Sequence, residues 1–133
     1  METFTIRVYG IASQQDKILL AVEEHEGTLY HKFPGGGLEF GEGIVDTLRR
    51  ELREEAALEI EIISHVYTLD YFMRSQFIND CQIIAVYYNI GLLSKIAIQE
   101  AGIEYYWLAK EEVLKRLSFA TDKTAFKTFM ATA

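Results

Sequence analysis

A change in hydrophobic periodicity after a run of glycines constrains the fold more than any other feature of this sequence. The run is Pro34-Gly35-Gly36-Gly37. The apolar residues that follow it recur at helical spacing, with charged side chains on the other face, at Ile44, Val45, Leu48, Leu52 and Ala56. The spacing predicts a helix over about residues 44–56, entered through a glycine-rich loop.

The segments around this helix alternate between strand-like and helical patterns. Strands joined by a short turn are predicted at Phe4–Ala12 and Lys17–Val22, and further strands at Glu59–Tyr71, Cys81–Ile90 and Tyr105–Leu108. Helical patterns close the sequence at Lys110–Leu117 and Thr121–Met130. Because strands and helices interleave irregularly, we expect an α+β fold in which helices cover both faces of a mixed sheet.

Length and composition indicate one globular domain over residues 1–133. The chain has 133 residues, 50% of them hydrophobic, which suits a single core, and no repeat or Pro/Ser-rich linker divides it. The longest apolar run, Ile83–Tyr88, is far shorter than a membrane span, and residues 1–10 do not resemble a secretory leader. We therefore expect a cytoplasmic protein that does not enter membranes.

The charge balance narrows the classes of partner. The formal net charge is −7, from 20 acidic against 13 basic residues. A negative surface disfavours nonspecific binding to nucleic acid or to an anionic membrane. An acidic protein that binds phosphates needs a divalent cation or a local cluster of basic side chains. Cys81 is the only cysteine and is expected to be a buried thiol.

Three glutamates on the predicted helix are the strongest candidates for metal ligands. Glu51, Glu54 and Glu55 are three and four residues apart, which places them on one side of the helix, opposite the apolar stripe. Such close carboxylates repel one another, and Mg²⁺ prefers oxygen ligands. On the helix alone, a solvated acidic face is the commoner interpretation. The preceding glycines favour a site, because they let the backbone approach a ligand closely.

The glycine loop and the acidic helix also occur at a spacing that resembles the Nudix box. The similarity runs over 23 residues from Gly36 to Leu58 and includes Glu42, Arg50, Glu51, Leu52, Glu54 and Glu55. One fixed position differs, since Ala57 stands where the pattern has glycine. The flanking segments Phe33-Pro34-Gly35-Gly36 and Tyr106-Trp107-Leu108 are also similar to the family.

The resemblance implies an α/β/α sandwich and the hydrolysis of nucleoside diphosphates linked to another group. It implies that Glu51, Glu54 and Glu55 bind Mg²⁺ or Mn²⁺, together with the carbonyl of Gly35 or Gly36. Glu42 would orient the site, and Arg50 would brace the loop rather than contact substrate. The metal would bridge the diphosphate and activate a water molecule.

The general base is left open by the resemblance. It is a box glutamate such as Glu54, or an acid on a later loop, for which Glu100 and Glu104 are the candidates. Ala57 is expected at a helix end that requires positive φ, at a cost on the order of 1 kcal/mol.

Substrate contacts are predicted at Arg7, Phe33 and Gly37. The partner would be a small nucleotide-type molecule, and a homodimer is compatible with the sequence. Two alternatives to an enzyme remain, namely a Nudix-fold sensor that binds a nucleotide ligand without turnover and an α+β interaction protein whose acidic helix faces solvent.

Overall fold

Strands dominate the first two thirds of the chain, and helices close it. The computed structural model describes residues 1–97 and 102–132. In these residues the strands are β1 (Thr3–Gln14), β2 (Lys17–His25), β3 (Thr28–Lys32), β4 (Gly35–Gly37), β5 (Ile60–Thr68), β6 (Cys81–Leu92) and β7 (Ile103–Ala109). The helices are α1 (Ile44–Ala56), α2 (Val113–Arg116) and α3 (Ala120–Thr132), and a 3-10 turn at Lys110–Glu112 precedes α2.

Strand β1 joins two groups of strands. Along most of its length it runs parallel to β6, from Thr3 opposite Cys81 to Ala12 opposite Ile90, and β6 pairs antiparallel with β5. On its other side β1 pairs antiparallel with β4. Near its end β1 pairs with β2, whose remaining neighbours β3 and β7 are both antiparallel. The sheet is therefore mixed, as the sequence predicted.

The alternation of side chains along β1 divides the core into two layers. Val8 and Ala12 point to one face, where they pack with Leu48 and Leu52 of α1. Ile11 points to the other face and belongs to the cluster that contains Ala125, Phe126 and Phe129 of α3. Helices therefore cover both faces, and the predicted α/β/α sandwich is confirmed.

Most element predictions are close to the observed bounds. The helix at 44–56 is confirmed, and the first hairpin turns at Gln15 and Asp16, which both have positive φ. The strand predicted at Glu59–Tyr71 is observed only over Ile60–Thr68. The helix predicted at Lys110–Leu117 begins as a 3-10 turn. Strands β3 and β4 were not predicted. No helix in the described part of the chain is long and apolar enough to span a bilayer.

Candidate metal and substrate site

The glycine run brings the backbone of β4 directly against the acidic side of α1. A Cβ atom on Gly36 would lie only 2.2 Å from Cδ of Glu51 and 2.5 Å from each of its carboxylate oxygens. A Cβ atom on Gly35 would lie 2.0 Å from the carbonyl oxygen of Val8. Glycine is therefore required at position 35, where the clash is with backbone, whereas a side chain at position 36 would displace the Glu51 carboxylate.

Arg50 connects the carboxylates to the loop. Its guanidinium contacts Glu42 at 2.6 Å, Glu51 at 3.1 Å and Glu54 at 3.2 Å. It also donates a hydrogen bond of 2.9 Å to the carbonyl of Gly37. These contacts join α1, β4 and the connecting loop, which is the arrangement expected of a brace.

The pKa values of the acids reflect this network. The hydrogen bond from Arg50 holds the pKa of Glu42 at about 2, and further hydrogen bonds from Glu39 and Thr47 act in the same direction. Burial raises the pKa of Glu51, and the charge of Glu54 raises it further, although Arg50 opposes both effects. The ionised form of Glu42 is thus stabilised by Arg50, whereas the ionised form of Glu51 is destabilised by burial and by the charge of Glu54.

Glu55 corrects the predicted geometry of the acidic face. The side chain of Glu54 is 60% exposed, as expected for a residue opposite the apolar stripe. Glu55 is only 8% exposed and accepts a hydrogen bond of 2.9 Å from the hydroxyl of Tyr105 on β7. Glu55 therefore flanks the apolar stripe instead of opposing it, because a residue three after Leu52 and one before Ala56 lies at the edge of the buried face.

The donor chemistry fits a divalent cation. Within residues 1–97 and 102–132, no three His, Cys, Asp or Glu side chains are already arranged as a metal-binding group. Glu51 and Glu54 turn toward Arg50, and Glu55 turns toward Tyr105. The single Arg50 guanidinium carries less charge than the Glu42, Glu51 and Glu54 carboxylates that it contacts. Carboxylate oxygens beside a backbone carbonyl are hard donors, which suit Mg²⁺ or Mn²⁺. The candidate ligands are Glu51, Glu54, Glu55 and the carbonyl of Gly36.

Arg7 lies between these carboxylates and a large cavity. It pairs with Gly37 in the β1–β4 ladder, and its Nε donates a hydrogen bond of 2.9 Å to the hydroxyl of Tyr9. Burial lowers the pKa of Arg7, but Tyr9, Glu51 and Glu55 outweigh burial and leave the pKa above its usual range. Arg7 also lines the cavity, so its guanidinium is close to both the carboxylates and the cavity.

The cavity has a volume of about 560 Å³, which is in the range of small-molecule sites. One wall is aromatic: the rings of Tyr30 and Phe119 stack with centroids 5.5 Å apart, and Phe77 meets Tyr30 edge-on at 5.4 Å. Another part is polar and contains Tyr87 and Asp122, where the tyrosine hydroxyl donates a hydrogen bond to Oδ1 of the aspartate. The cavity therefore offers both flat apolar surfaces and specific polar groups.

The predicted substrate contacts occupy different environments. Arg7 lines the cavity, and Gly37 lies beside it in the ladder. Phe33 is fully buried and packs against Tyr87 and Phe126 with ring centroids 6.2 Å and 6.3 Å away, so its ring supports the cavity from behind. A direct contact between Phe33 and substrate stays a prediction.

Of the two later acids predicted as candidate bases, the described structure includes Glu104 and does not bring it to the box. Glu104 is exposed on β7, and its neighbour Tyr105 is the residue that faces Glu55. Adjacent strand residues point to opposite faces, so Glu104 points away from Glu55. Glu100 lies outside the described residues. Glu54 and Glu100 stay candidate bases among those predicted from the sequence.

Helix α1 ends at the position where the box differs from its pattern. Ala57 has φ 49° and ψ 37°, a left-handed conformation, and its backbone amide donates a hydrogen bond of 2.9 Å to Arg53. This bond is the one that defines an αL cap, and the amide of Leu58 donates a further hydrogen bond to Leu52 at 3.1 Å. The expected positive φ is confirmed.

Comparison with known proteins identifies the family. A family model described as the NUDIX domain matches residues 1–129. This chain belongs to the Nudix family. No curated protein matches this Nudix chain closely enough to count as a relative.

Solved structures share the Nudix fold at low sequence identity. The chain is 20% identical to a NUDIX hydrolase from Nitrosomonas europaea, with a TM-score of 0.81 over 96% of this chain and 89% of that one. It is 23% identical to the E. coli ORF135 protein, with a TM-score of 0.79 and coverages of 98% and 91%. It is 22% identical to a MutT protein from Bacillus halodurans, with a TM-score of 0.75 and coverages of 92% and 80%. At these identities the likeness establishes the fold.

Several residues of this Nudix site were not found from the sequence. Tyr105 was recognised only as part of a strand, and Asp122 only as the start of a helix. An acid in the first turn of a helix is ordinary, so Asp122 gave no separate signal. The cavity wall is assembled from segments far apart in the chain, which local patterns do not reveal.

Proposed function

We propose that this chain is a metal-dependent hydrolase that cleaves the diphosphate linkage of a nucleoside diphosphate derivative. The observation that carries the proposal is the position of Arg7. It lines the cavity and is also close enough to Glu51 and Glu55 for their charges to raise its pKa. A substrate held in the cavity would thus extend past the Arg7 guanidinium toward the cluster of carboxylates on α1. This order suits a molecule with a ring at one end and a diphosphate at the other.

The side chains divide the work as follows. Glu51, Glu54 and Glu55 would hold the cation together with the Gly36 carbonyl, and Tyr105 would keep Glu55 in place through its hydrogen bond. When bound, the cation supplies charge neutralisation on the diphosphate oxygens and a more acidic water. Arg50 would hold the loop through Gly37 and Glu42. Arg7 would bind a phosphate oxygen, as guanidinium groups commonly do.

Position favours Glu54 as the residue that accepts a proton from the attacking water. Its side chain is the most exposed of the three candidate ligands, at 60%, and the pair with Arg50 is its only ion pair among the described residues. Glu51 is packed against Gly36, and Glu55 is held by Tyr105. Glu54 is therefore best placed to exchange protons with solvent.

The proposal is tested by a product screen on the purified protein. The panel contains canonical and oxidised nucleoside triphosphates, nucleotide sugars, ADP-ribose, dinucleoside polyphosphates and NADH, each with Mg²⁺ or Mn²⁺ and with excess EDTA. We expect a nucleoside monophosphate to be released from at least one substrate only when the divalent cation is present. Hydrolysis that persists in EDTA would contradict the metal assignment. Binding without product across the panel would contradict the enzyme and favour a sensor.

A further inference from the structure

Arg7 is attracted by the candidate metal ligands but is held by a neutral group. Although burial lowers the pKa of Arg7, contact with Tyr9 and the charges of Glu51 and Glu55 leave it above the usual range. Among residues 1–97 and 102–132, however, Arg7 takes part in no ion pair. Its Nε instead donates the hydrogen bond of 2.9 Å to the Tyr9 hydroxyl. A guanidinium bonds more strongly to a carboxylate than to a neutral hydroxyl, so the neutral partner requires an explanation.

The ring of Tyr9 is a rigid support for this hydrogen bond. Tyr9 follows Arg7 by two residues on β1, which places both side chains on the same face of the strand. Its ring stacks on that of Tyr87 with centroids 5.2 Å apart and an angle of 28° between the planes. Tyr87 is 1% exposed and is itself hydrogen-bonded to Asp122. The core therefore fixes the position of the Tyr9 hydroxyl at the wall of the cavity.

Two contacts with Tyr9 fix how the Arg7 guanidinium is turned. Besides the hydrogen bond to Nε, Cζ of Arg7 lies 5.8 Å from the centroid of the Tyr9 ring, within the range of a cation–π contact. The hydrogen bond uses the Nε donor and leaves the donors of Nη1 and Nη2. A Cβ atom on Gly37 would lie 3.5 Å from Nη1. The terminal nitrogen atoms of Arg7 therefore lie beside the glycine loop that carries the candidate metal site.

The Tyr9 hydroxyl holds Arg7 without cancelling its charge. Burial raises the pKa of Tyr9, and the charge of Asp122 acts in the same direction, although Arg7 lowers it. The hydroxyl is therefore neutral near pH 7. A carboxylate in its place would also orient the guanidinium, but it would neutralise the positive charge that attracts a phosphate.

We propose that Tyr9 is a positioning residue, which turns the Arg7 guanidinium so that Nη1 and Nη2 face the diphosphate of the substrate. The inference rests on the proposed function, in which Arg7 binds a phosphate oxygen, and it names the residue that prepares this contact. A guanidinium that is already oriented can bind two phosphate oxygens without first losing side-chain freedom. If Tyr9 were only an aromatic ring of the core, its hydroxyl would not affect phosphate binding.

Tyr9→Phe tests the proposal because it removes the hydroxyl and keeps the ring. The probe is methylenediphosphonate with Mg²⁺, a diphosphate analogue that carries no base and is not hydrolysed at its bridge, and its affinity is measured by titration calorimetry. We expect Tyr9→Phe to bind the probe about 5-fold more weakly, because Arg7 must then be ordered on binding. Tyr67→Phe is the matched control, since the Tyr67 ring also packs against Tyr87, at 6.1 Å, but is not among the residues that line the cavity. It should bind the probe as the parent does.

Arg7→Lys shows whether the effect passes through the guanidinium. A lysine has no planar fork of donors for the Tyr9 hydroxyl to orient. Tyr9→Phe should therefore weaken probe binding by less than ~2-fold in the Arg7→Lys background, against about 5-fold in the parent. An equal loss in both backgrounds would show that the hydroxyl has only a structural role and would overturn the proposal. Unchanged binding by Tyr9→Phe in the parent background would overturn it as well.

A measurement on the parent protein does not depend on how the variants fold. The Nε–H signal of Arg7 is followed by NMR in ¹⁵N-labelled protein, after assignment through the backbone resonances. It should exchange slowly with solvent both without the probe and with it, because Tyr9 holds Nε in both states. Fast exchange without the probe, or exchange that becomes faster when the probe binds, would contradict the role of Tyr9.

The product screen separates this inference from the proposed function. Hydrolysis by the parent, with equal losses in the two backgrounds, would leave the proposed function intact and refute only the role of Tyr9. Unequal losses without hydrolysis of any substrate would refute the enzyme and retain the pair of Tyr9 and Arg7 as part of a binding site. Failure of the parent to bind methylenediphosphonate would remove Arg7 as a phosphate contact and, with it, the role of Tyr9.

Discussion

At the scale of single residues, Ala57 stores strain at the end of α1. Its left-handed φ of 49° is one that glycine adopts freely and alanine does not. The cap hydrogen bonds to Arg53 and Leu52 hold it there. The strain is local, since Ala57 itself contributes no candidate ligand.

Ala57→Gly should therefore stabilise the protein. Relief of the left-handed strain exceeds the added freedom of glycine in the unfolded chain, and we expect a net gain of about 0.5–1 kcal/mol in the free energy of unfolding. Urea denaturation measures this directly. Gly102→Ala, at a glycine with φ 88° where an added Cβ would meet no atom of the described residues within 4 Å, should destabilise for the same reason. A loss of stability in Ala57→Gly would show that the cap is not strained.

Neutralising different carboxylates should reduce activity by different amounts. Glu54 and Glu59 form a matched pair, because their side chains are 60% and 50% exposed and each contacts an arginine of α1. Only Glu54 faces the candidate metal site. We expect Glu54→Gln to lower kcat/KM at least ~10²-fold, near the upper end of losses for groups that support a metal, and Glu59→Gln to change it little. Similar kinetics for both variants would remove Glu54 from the site.

Glu55 requires a different test because it is buried against Tyr105. Glu55→Gln should also lower kcat/KM at least ~10²-fold, while stability without metal should change little because the amide oxygen can still accept the tyrosine hydrogen bond. Tyr105→Phe separates the two roles, since it leaves the carboxylate and removes its anchor. If Glu55→Gln greatly lowered metal-free stability, Glu55 would be a structural partner of Tyr105 rather than a ligand.

At the scale of elements, α1 and its loop behave as one unit held by Arg50. The guanidinium reaches Glu42 in the loop and Gly37 in β4 as well as two glutamates on its own helix. The low pKa of Glu42 has a consequence for acid stability. Its ionised form contributes stability that is complete above its ordinary pKa and is lost as the pH falls toward about 2.

Arg50→Ala should weaken both the loop and the reaction. We expect kcat to fall at least ~10-fold, the urea midpoint to decrease, and the difference in midpoint to shrink as the pH drops from 5 toward 2. Arg53→Ala is the control, because Arg53 lies on the same helix but its ion pair in the described structure is with exposed Glu59. An effect of Arg50→Ala on KM alone would identify Arg50 as a substrate contact instead.

The elements that the sequence predicted are those with local signals. Helix α1 was predicted because five apolar side chains share one period, and the first hairpin because a polar break separates two apolar runs. Strand β4 was missed since three glycines have no strand propensity, and only pairing with β1 makes them a strand. The burial of Glu55 was missed because it depends on Tyr105, 50 residues later. The box residues could be predicted from the sequence, whereas the cavity could not.

At the scale of the whole molecule, the buried Asp122 carboxylate makes the free energy of unfolding depend on pH. Its pKa of about 6 lies above its ordinary value of 3.8, because burial penalises the charge. Between about pH 4 and 6 the unfolded chain loses this proton while the folded protein keeps it. The contribution of Asp122 to the free energy of unfolding therefore decreases as the pH rises through this window, and it is constant above the window.

Comparison of the parent with Asp122→Asn isolates this contribution from that of other acids. Relative to the variant, the parent should be more stable at pH 4 than at pH 7 by on the order of 2 kcal/mol. Urea denaturation at one-unit pH intervals from 4 to 8 provides the measurement. If the two stability curves ran parallel, the carboxylate would have an ordinary pKa in the folded protein.

The parallel pairing of β1 with β6 also governs the order in which this molecule can be made. Thr3 meets Cys81 and Ala12 meets Ile90, so every pair joins residues 78 positions apart. A growing chain on the ribosome completes α1 and β5 before the partner of its first strand exists. Until residue 92 emerges, the long edge of β1 is an open template for other strands. During this interval the unpaired edge of β1 is the place where mispairing with another chain would begin.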